Sequence, residues 1–262
     1  MRINSLISLG RRLFGQNPRS REKERDDFDW TSYTSVYRAQ ISDTEKMFTL
    51  RIEAGDYEYR DGVLCKVRDK ILPLHPNARL LYETILQLQP RTVVELGCGS
   101  GDHCRNLKVL NPNLQVYGYD RSEDQLVLLR QRNPELSASD FKQMDLTLPS
   151  PESCVKCDIA FTQAVIMHIH TGKGHLVALA NAFRLATKQV ILMENWKSHD
   201  FMDDIQALHK VKVIGWPSLY FHYRPSPERS NRPHLMVVSS ISIRDYPTLS
   251  DDSILSDNYP QT

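Results

Sequence analysis

Strand-like and helix-like patterns alternate regularly along the chain between residues 91 and 245. Short β-branched or apolar runs predict strands at 92–96, 115–120, 141–145, 158–164 and 189–194. Apolar residues at helical spacing predict helices at 102–110, 122–132, around 176–183 and near 202–209. A strand–helix–strand order at these spacings predicts right-handed crossovers, and therefore an α/β fold with a doubly wound, mostly parallel sheet.

Two further strand-like runs, at 212–216 and 234–241, follow each other without an intervening helix. Consecutive strands joined by a loop form an antiparallel pair, so they predict an antiparallel edge that completes a seven-stranded sheet. The connecting segment 217–233 is long for a hairpin and carries Arg224, Arg229 and Arg232. It either covers a substrate, with the arginines facing an anionic group of that substrate, or is a solvent-exposed loop without a function.

The segments outside this pattern divide the chain into four parts. We expect a basic, mobile N-terminal segment at 1–27, an accessory lead-in at 28–74, the alternating domain at 75–245 and a disordered tail at 246–262. The tail is predicted from its content of Pro, Ser and Asp.

The first two parts contain few regular patterns. Residues 2–14 form a short basic amphipathic helix if they are helical, and such a helix either touches a membrane surface or is a mobile tail or partner-docking arm. Residues 56–65 are too polar for a core strand, so the lead-in is predicted to be irregular and partly helical. Apolar spacing predicts a helix at 77–88, which Pro90 ends.

Composition excludes several classes of protein. The 262 residues are 40% hydrophobic and 25% charged, which is typical of globular proteins and excludes collagen-like, wholly disordered and polytopic membrane proteins. The formal net charge of +1 provides no overall field that would select nucleic acid. Five irregularly spaced cysteines do not fit a secreted disulfide scaffold, so we expect a cytoplasmic protein with reduced thiols.

The segment most informative about chemistry is the run Val93–Asp102, in which an apolar strand leads into Gly97, Gly99 and Gly101 and a helix follows at once. Glycines let the backbone turn tightly and approach a ligand closely, and the N-terminus of the helix attracts negative charge. A dinucleotide fingerprint would need glycine at position 102, where Asp102 stands instead. Asp120 ends the next strand, where open α/β sheets place the acid that accepts both ribose hydroxyls. The pattern therefore indicates a ligand with a ribose but without a diphosphate.

These residues resemble the class I S-adenosylmethionine-dependent methyltransferases. The run Glu95–Gly101 is similar to their glycine-rich first motif, Asp120 to the acid that ends their second strand, and Asp145 to the acidic position after the third. The resemblance covers roughly residues 75–243 and implies a Rossmann-like sheet that binds S-adenosyl-L-methionine.

The resemblance also implies a role for each matching residue. The glycine backbone would pack against the methionine part of the cofactor, with Glu95 orienting the loop or reaching the amino group. Asp120 would accept from the ribose diol. Asp145 would accept a hydrogen bond from the adenine amino group, and Met144 would lie against the adenine ring. Gln163 would line the cleft near the sulfonium.

Other readings stay open for several of these residues. Asp120 could be the N-cap of the following helix, and Asp145 could simply begin a turn. His168, after the fourth predicted strand, is either a general base or a packed histidine. The sequence near His168 and His170 contains no carboxylate or cysteine that would complete a metal site, so no metal is predicted.

The resulting functional prediction is methyl transfer to an oxygen or nitrogen atom of a small molecule, a sugar or secondary metabolite. The aromatic lead-in at 30–59 and the 217–233 loop are expected to form much of the acceptor pocket. The alternatives are a protein or RNA methyltransferase, a related enzyme that transfers another group, and an inactive cofactor-binding module. No nucleic acid partner is expected, because the fourth strand ends in Thr162–Val165 rather than an Asn/Asp-Pro-Pro-aromatic motif. The sequence does not indicate an oligomeric state.

Overall fold

The structure, a computed structural model, describes residues 41–225 and 233–250. Two short strands come first, and the alternating core follows them. The strands are β1 Tyr57–Arg60, β2 Val63–Lys66, β3 Thr92–Leu96, β4 Gln115–Asp120, β5 Phe141–Gln143, β6 Cys157–Gln163, β7 Ala186–Met193, β8 Tyr220–Pro225 and β9 Pro233–Ser239. The helices are α1 Pro76–Gln87, α2 Asp102–Leu110, α3 Glu123–Arg132, α4 Gly174–Leu185 and α5 Phe201–Lys210.

The central sheet has seven strands in the order β5-β4-β3-β6-β7-β9-β8. The first five of these are parallel to one another, whereas β9 is antiparallel to β7 and β8 is antiparallel to β9. The predicted doubly wound sheet with an antiparallel edge is therefore confirmed. The chain runs outward from β3 to β5 and then crosses back to β6, so the strand order reverses between β3 and β6. Open α/β sheets bind ligands at such a switch point, outside the carboxyl ends of the strands.

The sheet is covered on both faces by apolar side chains. Successive residues of a strand point to opposite faces, and Val93 and Val94 of β3 accordingly belong to two different core clusters. On one face Leu81 of α1 and Leu107 of α2 are fully buried, and on the other Leu179 of α4 is. Burial on both faces explains why these strands read as continuous apolar runs.

The first strand of the antiparallel edge lies later in the sequence than predicted. The predicted strand at 212–216 is wrong: the residues wrap around the end of α5, where Val213 and Ile214 both donate backbone hydrogen bonds to Leu208 O. Val213 is 55% exposed, so its β-branched side chain fills no sheet position. The edge strand is instead β8, inside the segment that was considered as a substrate-covering loop.

The position of β8 overturns the covering-loop hypothesis for residues 220–225. Phe221 and His222 are buried, and the Arg224 guanidinium donates to Gln87 Oε1 at 3.0 Å and lies 5.3 Å from the centre of the Tyr246 ring. Arg224 therefore contacts the protein itself. Arg229 and Arg232 lie outside the described residues.

The described part of the lead-in, residues 41–74, packs against the α/β core. Residues 57–66 form the β1–β2 hairpin, so the expectation of an irregular or helical segment there is wrong. Ile52 and Leu64 are buried in the core. Arg105 donates to Ile52 O and to Glu53 Oε1, and Asn106 accepts from Ile52 N at 3.1 Å. These contacts attach the described lead-in to α2.

The beginning of the predicted disordered tail is also ordered. Tyr246 and Leu249 are buried, Tyr223 N donates to Pro247 O at 3.1 Å, and Leu249 N donates to Phe221 O at 2.9 Å. Residues 246–250 therefore run along β8. The rest of the tail, like the segment 1–27 and its predicted helix at 2–14, lies outside the described residues. No helix in the described part of the chain is long and apolar enough to cross a membrane.

Candidate functional site

The glycine loop joins β3 to α2 at the carboxyl edge of the sheet. Gly97, Gly99 and Gly101 have φ angles of 80°, 49° and 76°, a left-handed region in which glycine is favoured. Gly97 N and Cys98 N both donate to Tyr119 O, at 2.7 and 3.0 Å, which ties the loop to the end of β4. The predicted strand–loop–helix unit is therefore confirmed.

The three glycines have different surroundings. A Cβ on Gly97 would lie 2.5 Å from a Val165 methyl group, and one on Gly101 would lie 2.7 Å from Leu129. A Cβ on Gly99 would meet only Gln125 Oε1, at 3.6 Å. Gly97 and Gly101 thus permit close packing inside the protein, whereas Gly99 leaves room on the side of the loop.

Asp120 is the acid at the tip of β4. Its Oδ2 accepts from Gly99 N and its Oδ1 from Ser122 N, both at 2.8 Å. Each carboxylate oxygen can accept a further hydrogen bond, and the side chain is only half-buried. Burial raises the pKa of Asp120, although the two amide hydrogen bonds act in the opposite direction. The N-cap of α3 is Ser122, which accepts from Gln125 N, so the alternative N-cap role for Asp120 is not observed.

Glu95 lies beneath the loop. It is 2% exposed, and its Oε2 accepts a hydrogen bond from Cys104 Sγ at 3.2 Å. Burial, reinforced by the charges of Asp120 and Asp102, raises the pKa of Glu95 well above its ordinary value. Asp102 begins α2, where a negative charge is favourable, and pairs with Arg132 at 3.3 Å.

Met144 and Asp145 follow β5 beside Asp120. Met144 is buried, and its backbone N–H donates to Asp120 O at 2.9 Å. Asp145 Oδ1 accepts from both the backbone N and the hydroxyl of Thr147, at 2.9 and 2.7 Å, so Asp145 does begin a turn. Its Oδ2 lies 3.9 Å from Arg121, and its side chain is 32% exposed. A role toward adenine stays a prediction.

Gln163 ends β6 on the other side of the switch point, next to β3. Its Oε1 is buried and has no hydrogen-bond partner among the described residues. A buried carbonyl oxygen without a partner is unfavourable, so Gln163 provides an acceptor that a bound group can satisfy.

Histidines from three parts of the chain lie near the turn that follows β6. His168 ends the short 3₁₀ helix Ile166–His168, and burial together with the charge of His170 lowers its pKa. The rings of His175 and His199 stack 4.2 Å apart, and His199 Nε2–H donates to Ile166 O at 3.1 Å. In the described part of the chain no group of three or more His, Cys, Asp or Glu could hold a metal ion.

The sequence analysis missed two residues of this edge. Glu194, just after β7, is 8% exposed and accepts from Thr162 Oγ1 at 2.6 Å. The only feature of the sequence that could have indicated Glu194 is its position as an acidic residue directly after an apolar strand. His103, in the first turn of α2, lies 2.8 Å from the Tyr82 hydroxyl, and burial lowers its pKa to about 4. No spacing in the sequence connects His103 to Tyr82.

The surroundings fit S-adenosylmethionine. Asp120 can accept further hydrogen bonds from a ribose diol, the loop is open on the Gly99 side, and the buried Gln163 Oε1 can accept a hydrogen bond. All three lie at the carboxyl ends of β3, β4 and β6, around the switch point.

Comparison with solved structures gives several similar chains. CalS10, an amino pentose methyltransferase from Micromonospora echinaspora, has 15% identity and a TM-score of 0.43 over 66% of this chain and 60% of its own. DesVI of Streptomyces venezuelae has 12% identity and a TM-score of 0.47 over 62% and 90%. A TehB-like SAM-dependent methyltransferase from Corynebacterium glutamicum has 19% identity and a TM-score of 0.47 over 68% and 90%.

Sequence comparison matches part of the chain to a family. No curated protein matches the chain significantly. Residues 90–214, which run from just before β3 to just after α5, match the family described as methyltransferase domain. The strand order and the glycine loop with its neighbouring acid agree with that match. Residues 90–214 therefore carry a methyltransferase domain, which agrees with the resemblance to the class I S-adenosylmethionine-dependent methyltransferases.

Proposed function

We propose that this protein transfers the methyl group of S-adenosylmethionine to an oxygen or nitrogen atom of a small molecule, in the class of sugars and secondary metabolites. The observation that carries the cofactor half of the proposal is the half-buried Asp120 carboxylate, which is aimed by the Gly99 amide at the tip of β4. A carboxylate fixed in this way is suited to the two hydroxyls of a ribose.

The chain's own residues would hold the cofactor in three places. Asp120 would accept from the ribose diol, and Asp145 and Met144 would meet the adenine. Gln163 Oε1 would accept from the cofactor near the sulfonium, because this oxygen is buried without a partner among the described residues. The bound cofactor supplies an activated methyl group on a positive sulfur, and the protein's task is to align the acceptor with it and to exclude water.

His168 is proposed as the general base that removes the acceptor's proton. A half-buried imidazole with a lowered pKa is neutral at physiological pH and can therefore accept a proton. If His168 is the base, His168→Gln lowers kcat by about 10²–10⁴-fold. The affinity for S-adenosylhomocysteine should stay unchanged in His168→Gln. The matched control is His170→Gln, in which kcat should not fall in this way.

Support for a small acceptor comes from charge. A net charge of +1 gives the chain no general attraction to the phosphates of RNA, which basic surfaces normally provide. A protein or RNA acceptor and an inactive cofactor-binding module are the rival outcomes of the test.

The test is an acceptor screen followed by mass spectrometry. The purified protein is incubated with S-adenosylmethionine and, separately, with pools of amino sugars, hydroxylated metabolites, proteins and RNA. We expect S-adenosylhomocysteine and a methylated product from a small-molecule pool. Methylation confined to protein or RNA, or cofactor binding without product in any pool, overturns the acceptor assignment.

A further inference from the structure

The turn between β6 and the segment that leads to α4 has an unusual backbone. Ala164 has a φ of +52°, which is uncommon for a residue other than glycine. The chain then enters the 3₁₀ helix Ile166–His168. A conformation of this kind persists only where the surrounding structure holds it.

Glu194 provides the contacts that hold this turn. Its Oε2 accepts from Val165 N at 3.1 Å and from Met167 N at 3.0 Å, and its Oε1 accepts from the Thr162 hydroxyl at 2.6 Å. The donors are backbone N–H groups and a hydroxyl rather than a lysine or arginine. Because the carboxylate is buried, each of these bonds is formed away from competing water.

The turn that Glu194 holds carries two groups of the site. The Val165 side chain occupies the space where a Cβ of Gly97 would lie, so it packs directly against the glycine loop. His168 stands at the end of the same turn. One buried carboxylate just after β7 therefore fixes the turn that holds Val165 against the glycine loop and that carries His168.

We propose that Glu194 is a positioning residue for methyl transfer, which sets the 164–168 turn through carboxylate–amide hydrogen bonds. It acts through Val165 and His168 rather than by touching the reacting atoms. This inference rests on the proposed function, since it assigns a purpose to the turn that borders the methyl-transfer site.

The test compares Glu194→Gln with Thr162→Val. Glutamine keeps the size of the side chain but loses the negative charge, and in either orientation its NH₂ group faces Val165 N, which lies 3.2 Å from Oε1 and 3.1 Å from Oε2. The NH₂ group cannot accept from this amide, and the remaining neutral carbonyl oxygen is a weaker acceptor for the Met167 amide. Thr162→Val removes one donor and leaves the carboxylate with its backbone amides. If Glu194 sets the turn, only Glu194→Gln disturbs it.

The first readout is amide hydrogen exchange by NMR, which needs no acceptor. In the wild-type protein the Val165 and Met167 amides should be protected. In Glu194→Gln they should exchange about tenfold faster or more, while the Gly99 amide, which donates to Asp120, keeps its rate. Unprotected amides in the wild-type protein overturn the proposal even if the variant fails to fold.

The second readout is kinetic, with the acceptor found in the screen. After correction for the folded fraction, kcat of Glu194→Gln should fall about tenfold or more while KM for S-adenosylmethionine changes about threefold or less. Thr162→Val should keep kcat within about threefold. Equal losses in the two variants, or an unchanged kcat in Glu194→Gln, overturn the positioning role.

Failure of this inference is distinguishable from failure of the proposed function. A wild-type protein that binds no S-adenosylhomocysteine and makes no product contradicts the proposed function. A wild-type protein that does both, beside a Glu194→Gln variant that behaves identically, contradicts the role of Glu194 alone.

Discussion

Gly97→Ala separates the two reasons for a glycine at the end of β3. The first is the backbone, because a φ of +80° is unfavourable for alanine by about 1–2 kcal/mol. The second is space, because the new Cβ would lie 2.5 and 2.8 Å from the two methyl groups of Val165. Forcing an extra carbon into such a contact typically costs about 1–3 kcal/mol.

Gly62→Ala is the matched control. Gly62 has a φ of +83°, but a Cβ there would meet nothing within 4 Å. Gly62→Ala should therefore show the backbone cost alone, and Gly97→Ala should be less stable than it by about 1–3 kcal/mol. Chemical denaturation measures both free energies of unfolding, and calorimetry with S-adenosylhomocysteine should show weaker binding in Gly97→Ala only.

A double-mutant cycle identifies the clash itself. Val165→Ala removes the two methyl groups and leaves its own Cβ 3.2 Å from the new carbon, so Gly97→Ala should cost less in that background. We expect a coupling free energy of about 1 kcal/mol or more between the two positions. Additive effects, or equal costs for Gly97→Ala and Gly62→Ala, would refute the packing explanation.

Two further predictions concern buried charge. Burial raises the pKa of Glu95 above its ordinary 4.5, so ionising Glu95 destabilises the folded state. Glu95→Gln should therefore raise Tm by an amount that grows as the pH rises above that value, and it should leave Tm unchanged near pH 4. A gain that is equal at pH 4 and pH 8 would contradict this. The Arg105 side chain is 6% exposed and that of Arg130 is 42% exposed, although both pair with a glutamate at 2.8 Å. In urea denaturation Arg105→Met should lose about 1.5–3 kcal/mol and Arg130→Met about 0–1 kcal/mol, and equal losses would refute the role of burial.

Local patterns were enough to predict the parallel part of the sheet. Val93 and Val94 of β3 and residues 190–193 of β7 are apolar and buried on both faces of the sheet, so these short runs predict strands by themselves. The glycine loop and Asp120 were predictable for the same reason, since a strand, a bend and an acid at the next strand's end form one short-range unit.

The errors arose where distant contacts decide the structure. Residues 212–216 look like a strand, yet backbone bonds to Leu208 fold them around the end of α5. Residues 56–65 are too polar for a core strand and were therefore expected to be irregular, but residues 57–66 form a separate hairpin, in which Leu64 is 1% exposed and its amide donates to Glu83. On α4 the helix was predicted correctly, whereas Leu176 and Val177 are only half-buried and Ala178 and Leu179 form its buried face.

The contacts of Glu194 could not be predicted for a related reason. Its partners lie about thirty positions earlier, on β6 and the following turn, and the pairing depends on the register between β6 and β7. The register between two parallel strands cannot be predicted from a single sequence. Only the finished sheet brings the carboxylate to the amides of Val165 and Met167.

The central claim is that Asp120 and the glycine loop together bind an adenosine-bearing cofactor. Titration calorimetry with S-adenosylhomocysteine tests it directly in the wild-type protein, Asp120→Asn and the exposed control Asp69→Asn. We expect binding by the wild type and the control, and about ten- to hundredfold weaker binding by Asp120→Asn, which loses a charge-assisted hydrogen bond. Absence of binding by the folded wild-type protein, or equal affinity in all three proteins, would contradict the claim.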